Sequence, residues 1–349
     1  MNVDEVDYLV VGLGLAGIAF TDKLLQNKKS FIVFENNSQS SSIVAGGIYN
    51  PIVLKRFTLA WEGHKQLQYA LPVYANLENL LKVNLDIKLN IKRVFSSVQE
   101  QNNWYTALDK SGLSSYMLSD IEKNQIFGIN SPYGFGQVQG TGRINTSLLI
   151  SNYKKYLKKK GAIVEQSFNY SALMISNKQL SYKGIKASKV VFCEGYGLKQ
   201  NPFFNYLPLR GNKGETINIY APDLQIDFLL KSSVFVMPLN PNYYKVGATF
   251  NFTDKTHTTT EQATKELTKK LNNLLSVPYK IVQQVAGIRP TVKDRRPLVG
   301  KHPQYSNLAI LNGLGARGVM TAPTVANSLY KHLEKDTELD KEIDISRFD

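Results

Sequence analysis

The feature that most restricts how this chain can fold is a glycine triplet set between two short apolar runs. Tyr8-Leu9-Val10-Val11 leads straight into Gly12, Gly14 and Gly17, a G-x-G-x-x-G pattern. From Leu15 to Leu25 the apolar residues recur at helical spacing. Phe31-Ile32-Val33-Phe34 then forms a second apolar run, closed by Glu35, 18 positions past Gly17. Strand, glycine turn, helix, strand and terminal acid together specify a βαβ unit of the dinucleotide-binding type. Gly12 permits the tight turn out of the strand, Gly14 lets the backbone approach a pyrophosphate, and Gly17 lets the helix pack close to the sheet. The helix N-terminus offers unpaired N–H groups and partial positive charge to the phosphates. Glu35 is placed to accept hydrogen bonds from ribose hydroxyls, and its charge disfavours a 2′-phosphate.

The chain does not continue as repeated βαβ. A small, glycine-rich stretch from Ser41 and Ser42 through Ala45 and Gly46 to Pro51 follows, then a helical stretch from about Leu59 to Leu81. Asn90–Phe95 and Phe127–Val138 are expected as strands, and residues 145–159 as a helix capped by Asn145 or Thr146. Ala162-Ile163-Val164 and Val190–Cys193 have the continuous apolar character of buried parallel strands. Thr216–Tyr220, Ser233–Met237 and Tyr244–Phe250 alternate, as strands of an antiparallel sheet with one covered face do. An amphipathic helix is expected over Thr259–Leu275. The end returns to βα form, with Leu308–Leu311, a glycine-rich turn and a helix from about Ala322 to Leu333. At 349 residues the chain has room for about two domains. The pattern assigns residues 1–85, 140–200 and 285–349 to a nucleotide domain, with an antiparallel-sheet domain of residues 86–139 and 201–284 inserted into it.

Two further segments carry chemistry. In Ala286-Gly287-Ile288-Arg289-Pro290-Thr291, the following proline holds Arg289 extended, which suits a two-pronged grip on a carboxylate; an interdomain salt bridge is the plainer alternative. In Asn312-Gly313-Leu314-Gly315-Ala316-Arg317-Gly318-Val319-Met320 the glycines form a turn that a flat cofactor can approach, and a helix begins directly after it. That helix start places positive potential against a developing anion, and Arg317 adds a second cation or merely braces the loop.

Taken with the opening fingerprint and Ser41–Pro51, these segments resemble the D-amino-acid oxidase/glycine oxidase (DAO) family of FAD flavoproteins. Pro208 with Arg210-Gly211-Asn212, Gly140–Asn145 and Lys245–Thr249 are similar to further family segments, in the family's order. The resemblance implies an α/β fold with a Rossmann-type FAD-binding domain and an inserted substrate domain. It implies an FAD-dependent oxidoreductase, oxidase or dehydrogenase, that oxidises the C–N bond of an amine or amino acid by hydride transfer to flavin N5, giving an imine. It further implies FAD contacts at Gly12, Gly14, Gly17, Glu35, Ser41, Ser42, Ala45, Gly46, Val164, Gly195, Gly313, Gly315, Gly318, Val319 and Met320. Arg289 and Arg317 are the implied catalytic cations, and Tyr49, Tyr244 and Arg289 the implied substrate contacts. Leu314 stands where many relatives carry histidine.

Gly47-Ile48-Tyr49-Asn50-Pro51 and Gly315-Ala316-Arg317-Gly318 also resemble the flavin domain of the tRNA wobble-uridine enzyme acting on carboxymethylaminomethyl groups. A tRNA-demodifying flavoenzyme is therefore one alternative, and a flavoprotein without amine turnover another. Lys plus Arg total 42 against 28 Asp plus Glu, a net charge of +14 that favours encounter with anions, RNA among them. The lysine run from Lys154 to Lys160 reads as the solvent face and last turn of a helix. The four histidines are dispersed, so no metal site is expected. The single cysteine, Cys193, excludes an internal disulfide and is expected to pack. No apolar stretch approaches the roughly 18 residues of a membrane span. The acidic start Met1–Asp7 does not read as a signal peptide, and a cytoplasmic protein is expected. The electron acceptor, oxygen or another, is not specified by the residues.

Overall fold

A computed structural model describes residues 5–176 and 179–348; of the acidic start, Met1–Asp4 lie outside the described residues. The apolar runs read from the sequence become a parallel sheet. Its order is Ile163–Val164, Phe31–Phe34, Glu5–Val11, Ile185–Phe192, Leu308–Asn312. Both faces of these strands are covered, which is why Tyr8-Leu9-Val10 and Phe31–Phe34 are buried without alternation. The helices Leu15–Gln26 and Gly318–Lys335 pack side by side against one face. An aromatic cluster around Phe168, Tyr182 and Phe192 fills the other. On the side of Ile185–Phe192 away from Glu5–Val11, Leu180–Tyr182 with Leu173–Ile175 pairs antiparallel to its first half, and Leu298–Lys301 adds an antiparallel strand beyond Leu308–Asn312, which pairs with its second half.

The alternating segments build a second, eight-stranded sheet. Its pairs are antiparallel except Leu229–Lys231 with Ile91–Val94, which run parallel. The longest strand, Lys280–Val292, pairs along its length with Leu209–Tyr220, and the expected domain boundary at residue 285 falls inside it. Leu267 and Leu271 of the helix Glu261–Asn272 enter the core on the sheet's outer face with Ile217, Ile219 and Val246. The inner face, carrying Thr216, Phe235 and Gly247, looks toward the parallel sheet.

Several expected elements change bounds for local reasons. Phe127–Val138 is a strand only over Phe135–Val138. Gly128 and Gly134 adopt positive φ and Pro132 lies between them, so the chain turns there, and Phe127 is left 78% exposed. The helix expected from Leu59 starts at Gly63, because Thr58–Leu59 pairs with Ile52–Val53. The helix Thr146–Lys160 is capped by Asn145, whose side chain accepts from the Leu148 N–H, and its last turn carries Lys158, Lys159 and Lys160. The final helix begins at Gly318, four residues before the expected start, which moves Pro323 from its first turn into its second. Proline there cannot donate to the Val319 carbonyl; the Tyr74 hydroxyl donates to that oxygen instead, at 2.8 Å.

Candidate active site

The parallel strands end on one edge, and their C-terminal turns open into a single cavity of about 530 Å³ between that edge and the inner face of the second sheet. Such an edge is where open α/β sheets bind ligands. Gly12 and Gly14 from the first turn, Gly195 from the middle strand's exit, and Gly315, Gly318 and Val319 from the last turn all line it. So do Ser41, Ser42, Ala45 and Gly46, on a short helix and its exit, and Glu35 at the end of the second strand. Residues more than 300 positions apart in sequence thus share one wall: a Cβ on Gly318 would lie 3.2 Å from Leu15 Cδ1.

The glycine turn is tight for steric reasons. Gly12 has φ +96°, and a Cβ there would stand 2.6 Å from the Cys193 carbonyl oxygen. A Cβ on Gly17 would fall 2.0 Å from the Gly12 carbonyl oxygen, so the helix can approach only without one. Gly17 therefore shapes the turn from behind and does not line the cavity. The helix that follows has no side-chain cap and no acid in its first turn. Its first N–H groups are left for an external acceptor, apart from Leu15 N–H, which reaches Ser42 Oγ at 3.3 Å. Glu35 turns back on the loop and accepts from the Leu13 and Asn37 N–H groups. Gln39, also on the cavity wall, has a buried Oε1 with no partner among the described residues. An uncapped helix start, a glycine cradle and an acid at the next strand end fit a dinucleotide's diphosphate and ribose.

Arg289 comes from the second sheet. Its guanidinium lies directly over Gly214, where a Cβ would be 2.0 Å from Nη2 and 2.2 Å from Nη1. The Phe250 ring covers it at 4.9 Å, and Nη1 donates to the Thr249 carbonyl at 3.4 Å. Burial pushes its pKa down to about 10, still charged near neutrality. Among the described residues no carboxylate pairs with it, so the salt-bridge alternative has no partner here. Leu314 lines the cavity too.

Other expected site residues are placed elsewhere. Tyr49 is not a cavity residue: it is buried beneath Gly142 and its hydroxyl donates to Asp86 Oδ1 at 2.7 Å. Tyr244 points from the opposite face of its strand into the outer core, where its hydroxyl donates to the Leu224 carbonyl. In both cases strand alternation turns the ring away from the site. Val164 contributes only its backbone carbonyl, which accepts from the Glu35 N–H at 3.1 Å. Gly313 packs against Val292 and Leu298, and Met320 is buried in the core. Arg317 stands at the residue before the last helix without a side-chain capping bond and outside the cavity wall, and burial beside Arg295 lowers its pKa.

Cys193 is buried, and burial pushes its thiol well up. Each histidine has a polar partner: Tyr116 for His64, Ser40 for His257, backbone groups for His302 and His332. Sequence reasoning missed Lys231, Thr216, Phe250 and Glu194, all on the cavity wall. Glu194 accepts from Asn201 Nδ2 at 2.7 Å and from the Tyr170 hydroxyl. Burial pushes its carboxyl up to about 7. Only its place directly after an apolar parallel strand signals it in the sequence.

With this geometry in hand, comparison with known proteins is specific. The family model described as FAD dependent oxidoreductase (DAO) matches residues 7–330. Glycine oxidase of Bacillus subtilis (strain 168) is 23% identical over 339 residues, covering 90% of this chain and 89% of that protein. The crystal structure of glycine oxidase from Geobacillus kaustophilus superposes with a TM-score of 0.81 at 18% identity, covering 99% of this chain and 98% of that one. The FAD-bound L-α-glycerophosphate oxidase of Mycoplasma pneumoniae gives a TM-score of 0.77 at 16% identity, covering 97% and 96%. Among the described residues no helix is long and apolar enough to cross a membrane.

Proposed function

This chain belongs to the DAO family of FAD-dependent oxidoreductases, and from that premise we propose that it oxidises the C–N bond of a small amine or amino acid whose carboxylate Arg289 holds. When bound, FAD supplies the two-electron acceptance that no protein side chain can. The Gly12–Leu15 turn and the helix start behind it would hold the diphosphate, and Glu35 the ribose. Ser41, Ser42, Ala45 and Gly46, with Gly315, Gly318 and Val319, line the same cavity and would hold the rest of the cofactor. Gly318 opens a helix whose N-terminal field favours negative charge beside it.

The protein's own part is orientation. Arg289 is fixed by Gly214 below and Phe250 above, so two parallel N–H groups can meet a carboxylate with little freedom left to lose. Fixing that end places the carbon bearing the nitrogen, and burial keeps water from competing for the guanidinium. Neither Glu35 nor Glu194, the carboxylates on the cavity wall, belongs to the sheet face that carries Arg289, so that face contributes orientation and no carboxylate base.

The observation that carries this reading is Arg289: a half-buried cation with no acidic partner among the described residues, in the cavity that both glycine turns line. The test is an anaerobic screen of amino acids, N-alkyl glycines and other amines against the FAD-loaded protein, followed by absorbance. The expected result is bleaching of the yellow flavin band by at least one carboxylate-bearing amine, with Arg289→Met raising the concentration needed at least tenfold. A flavin that stays oxidised against the whole panel would overturn it.

A further inference from the structure

A second cation faces the same cavity, and the established family activity gives it no task. Lys231 ends the strand Leu229–Lys231 and lies on the cavity wall. It pairs across the sheet with Phe235, Phe235 with Gly247, Gly247 with Thr216, and Thr216 with Val285. Residues paired in this way share one face of a sheet. Arg289 lies four residues past Val285 on the same strand and so on that same face. The inner face therefore carries a cation at each end of one cavity, Arg289 over Gly214 and Lys231 three strands away. At about 4.8 Å per strand the Lys231 backbone lies roughly 14 Å across the sheet from Gly214, the residue beneath the guanidinium, a gap the lysine side chain shortens.

Lys231 has no anionic partner among the described residues. Its charged neighbours are cations, and both are already occupied. Arg93 donates to Glu100 Oε1 at 2.9 and 2.6 Å and to the Ser232 carbonyl at 2.9 Å, and Lys270 pairs with Glu266. Between the two cavity cations stands Thr216, 8% exposed, with a buried hydroxyl that has no partner among the described residues. The two carboxylates on the cavity wall, Glu35 and Glu194, sit at the ends of the parallel sheet instead. A half-buried ammonium, an orphaned hydroxyl and a second unpaired cation on one wall are polar groups that a ligand in the cavity can satisfy.

We propose that the substrate carries a second anionic group, a carboxylate or a phosphate, at the end remote from the amine, and that Lys231 selects for it. The inference rests on the proposed function, since Arg289 must hold the first carboxylate. The substrate class narrows accordingly to amino acids with an acidic far end. Lys231 is a specificity residue here and takes no part in breaking the C–N bond.

The test uses the FAD-loaded protein and ligands that cannot be oxidised. Succinate, glutarate and adipate are titrated, each against the monocarboxylate of equal chain length, with 4-phosphonobutyrate beside glutarate to separate the two anion types. Affinity is read calorimetrically and from the shift in the bound flavin spectrum. The expected result is at least one doubly anionic probe binding tenfold or more tighter than its singly charged counterpart. Lys231→Met brings that ratio to within about twofold of unity, and Lys231→Arg restores most of it. Because the readout is a ratio of affinities on one preparation, partial loss of folded protein cancels. Equal binding of both probe classes by the unmodified protein, or a ratio that Lys231→Met leaves unchanged, overturns the inference while Arg289-dependent monocarboxylate binding keeps the proposed function standing. Failure of every carboxylate to bind overturns both.

Discussion

Arg289 shows how much of a site is decided by the residue beneath it. Its guanidinium occupies the space a Cβ on Gly214 would need, with atoms 2.0 to 2.3 Å from that position. Gly214→Ala must lift the guanidinium, and displacement of a positioning group by about 1 Å commonly costs on the order of 100-fold in rate. The expected outcome is a kcat/KM for the substrate lowered by roughly that factor while bound FAD is retained; an unchanged value would show that the guanidinium does not depend on this floor. Glu194 gives a residue-scale prediction in pH. Its folded pKa of about 7 lies above its ordinary 4.5. A raised pKa means stability that is fully present below pH 4.5 and is lost as pH rises through 7. Glu194→Gln removes that slope, so its urea midpoint should exceed the parent's at about pH 8 and approach it at about pH 5. The shift corresponds to an upper difference on the order of 3 kcal/mol. Midpoints that stay parallel across that range would show that the carboxyl is ionised in the fold. Arg289 was legible in the sequence because Pro290 pins its backbone, whereas Tyr49 and Tyr244 were misread because a tyrosine's chemistry says nothing of which face its strand presents. Lys231 was unreadable for the same reason: its partnerless state is a property of three other strands.

At the scale of elements, local chemistry spoke most clearly where each part of a motif depends on its neighbours. The strand, turn and helix of Glu5–Gln26 follow from steric needs confined to about twenty residues, and they fold as read. The Phe127–Val138 run failed because apolar content was weighed over Gly128, Pro132 and Gly134, whose backbone preferences break the ladder. The length of Lys280–Val292 was equally hidden: Gln283 and Gln284 look like loop residues until Asn218, Glu215 and Thr264 are seen to receive them. The glycine turn carries its own prediction. In Gly12→Ala the new methyl meets backbone, the Cys193 carbonyl, at 2.6 Å, and the residue must hold φ +96°. Neither strand can yield without breaking the pairing of Val11 with Phe192. Strained backbone of this kind costs about 1–3 kcal/mol before the clash is counted. The variant should lose its cofactor on gel filtration and melt below the parent. Full FAD occupancy at an unchanged Tm would show that the turn has slack that the geometry denies.

For the molecule as a whole, the cavity wall is assembled from the first turn, the middle strand's exit, the last helix and the inner face of the second sheet. No single stretch of chain contains a site, so the unfolded chain has no comparable affinity for FAD, and binding acts entirely on the folded side of the equilibrium. Stabilisation then follows mass action, about 2.7 kcal/mol at a free cofactor concentration one hundred times Kd, with no plateau at saturation. Tm should rise continuously with the logarithm of FAD concentration, and ADP, which fills only the nucleotide end, should give a smaller rise that Glu35→Ala diminishes. Adding a doubly anionic carboxylate to the FAD-loaded protein should raise Tm again, because it bridges cations on a sheet that FAD alone leaves unpaired. A melting temperature indifferent to FAD would mean that the two layers close without the cofactor between them, and the shared wall would then be packing rather than a binding site.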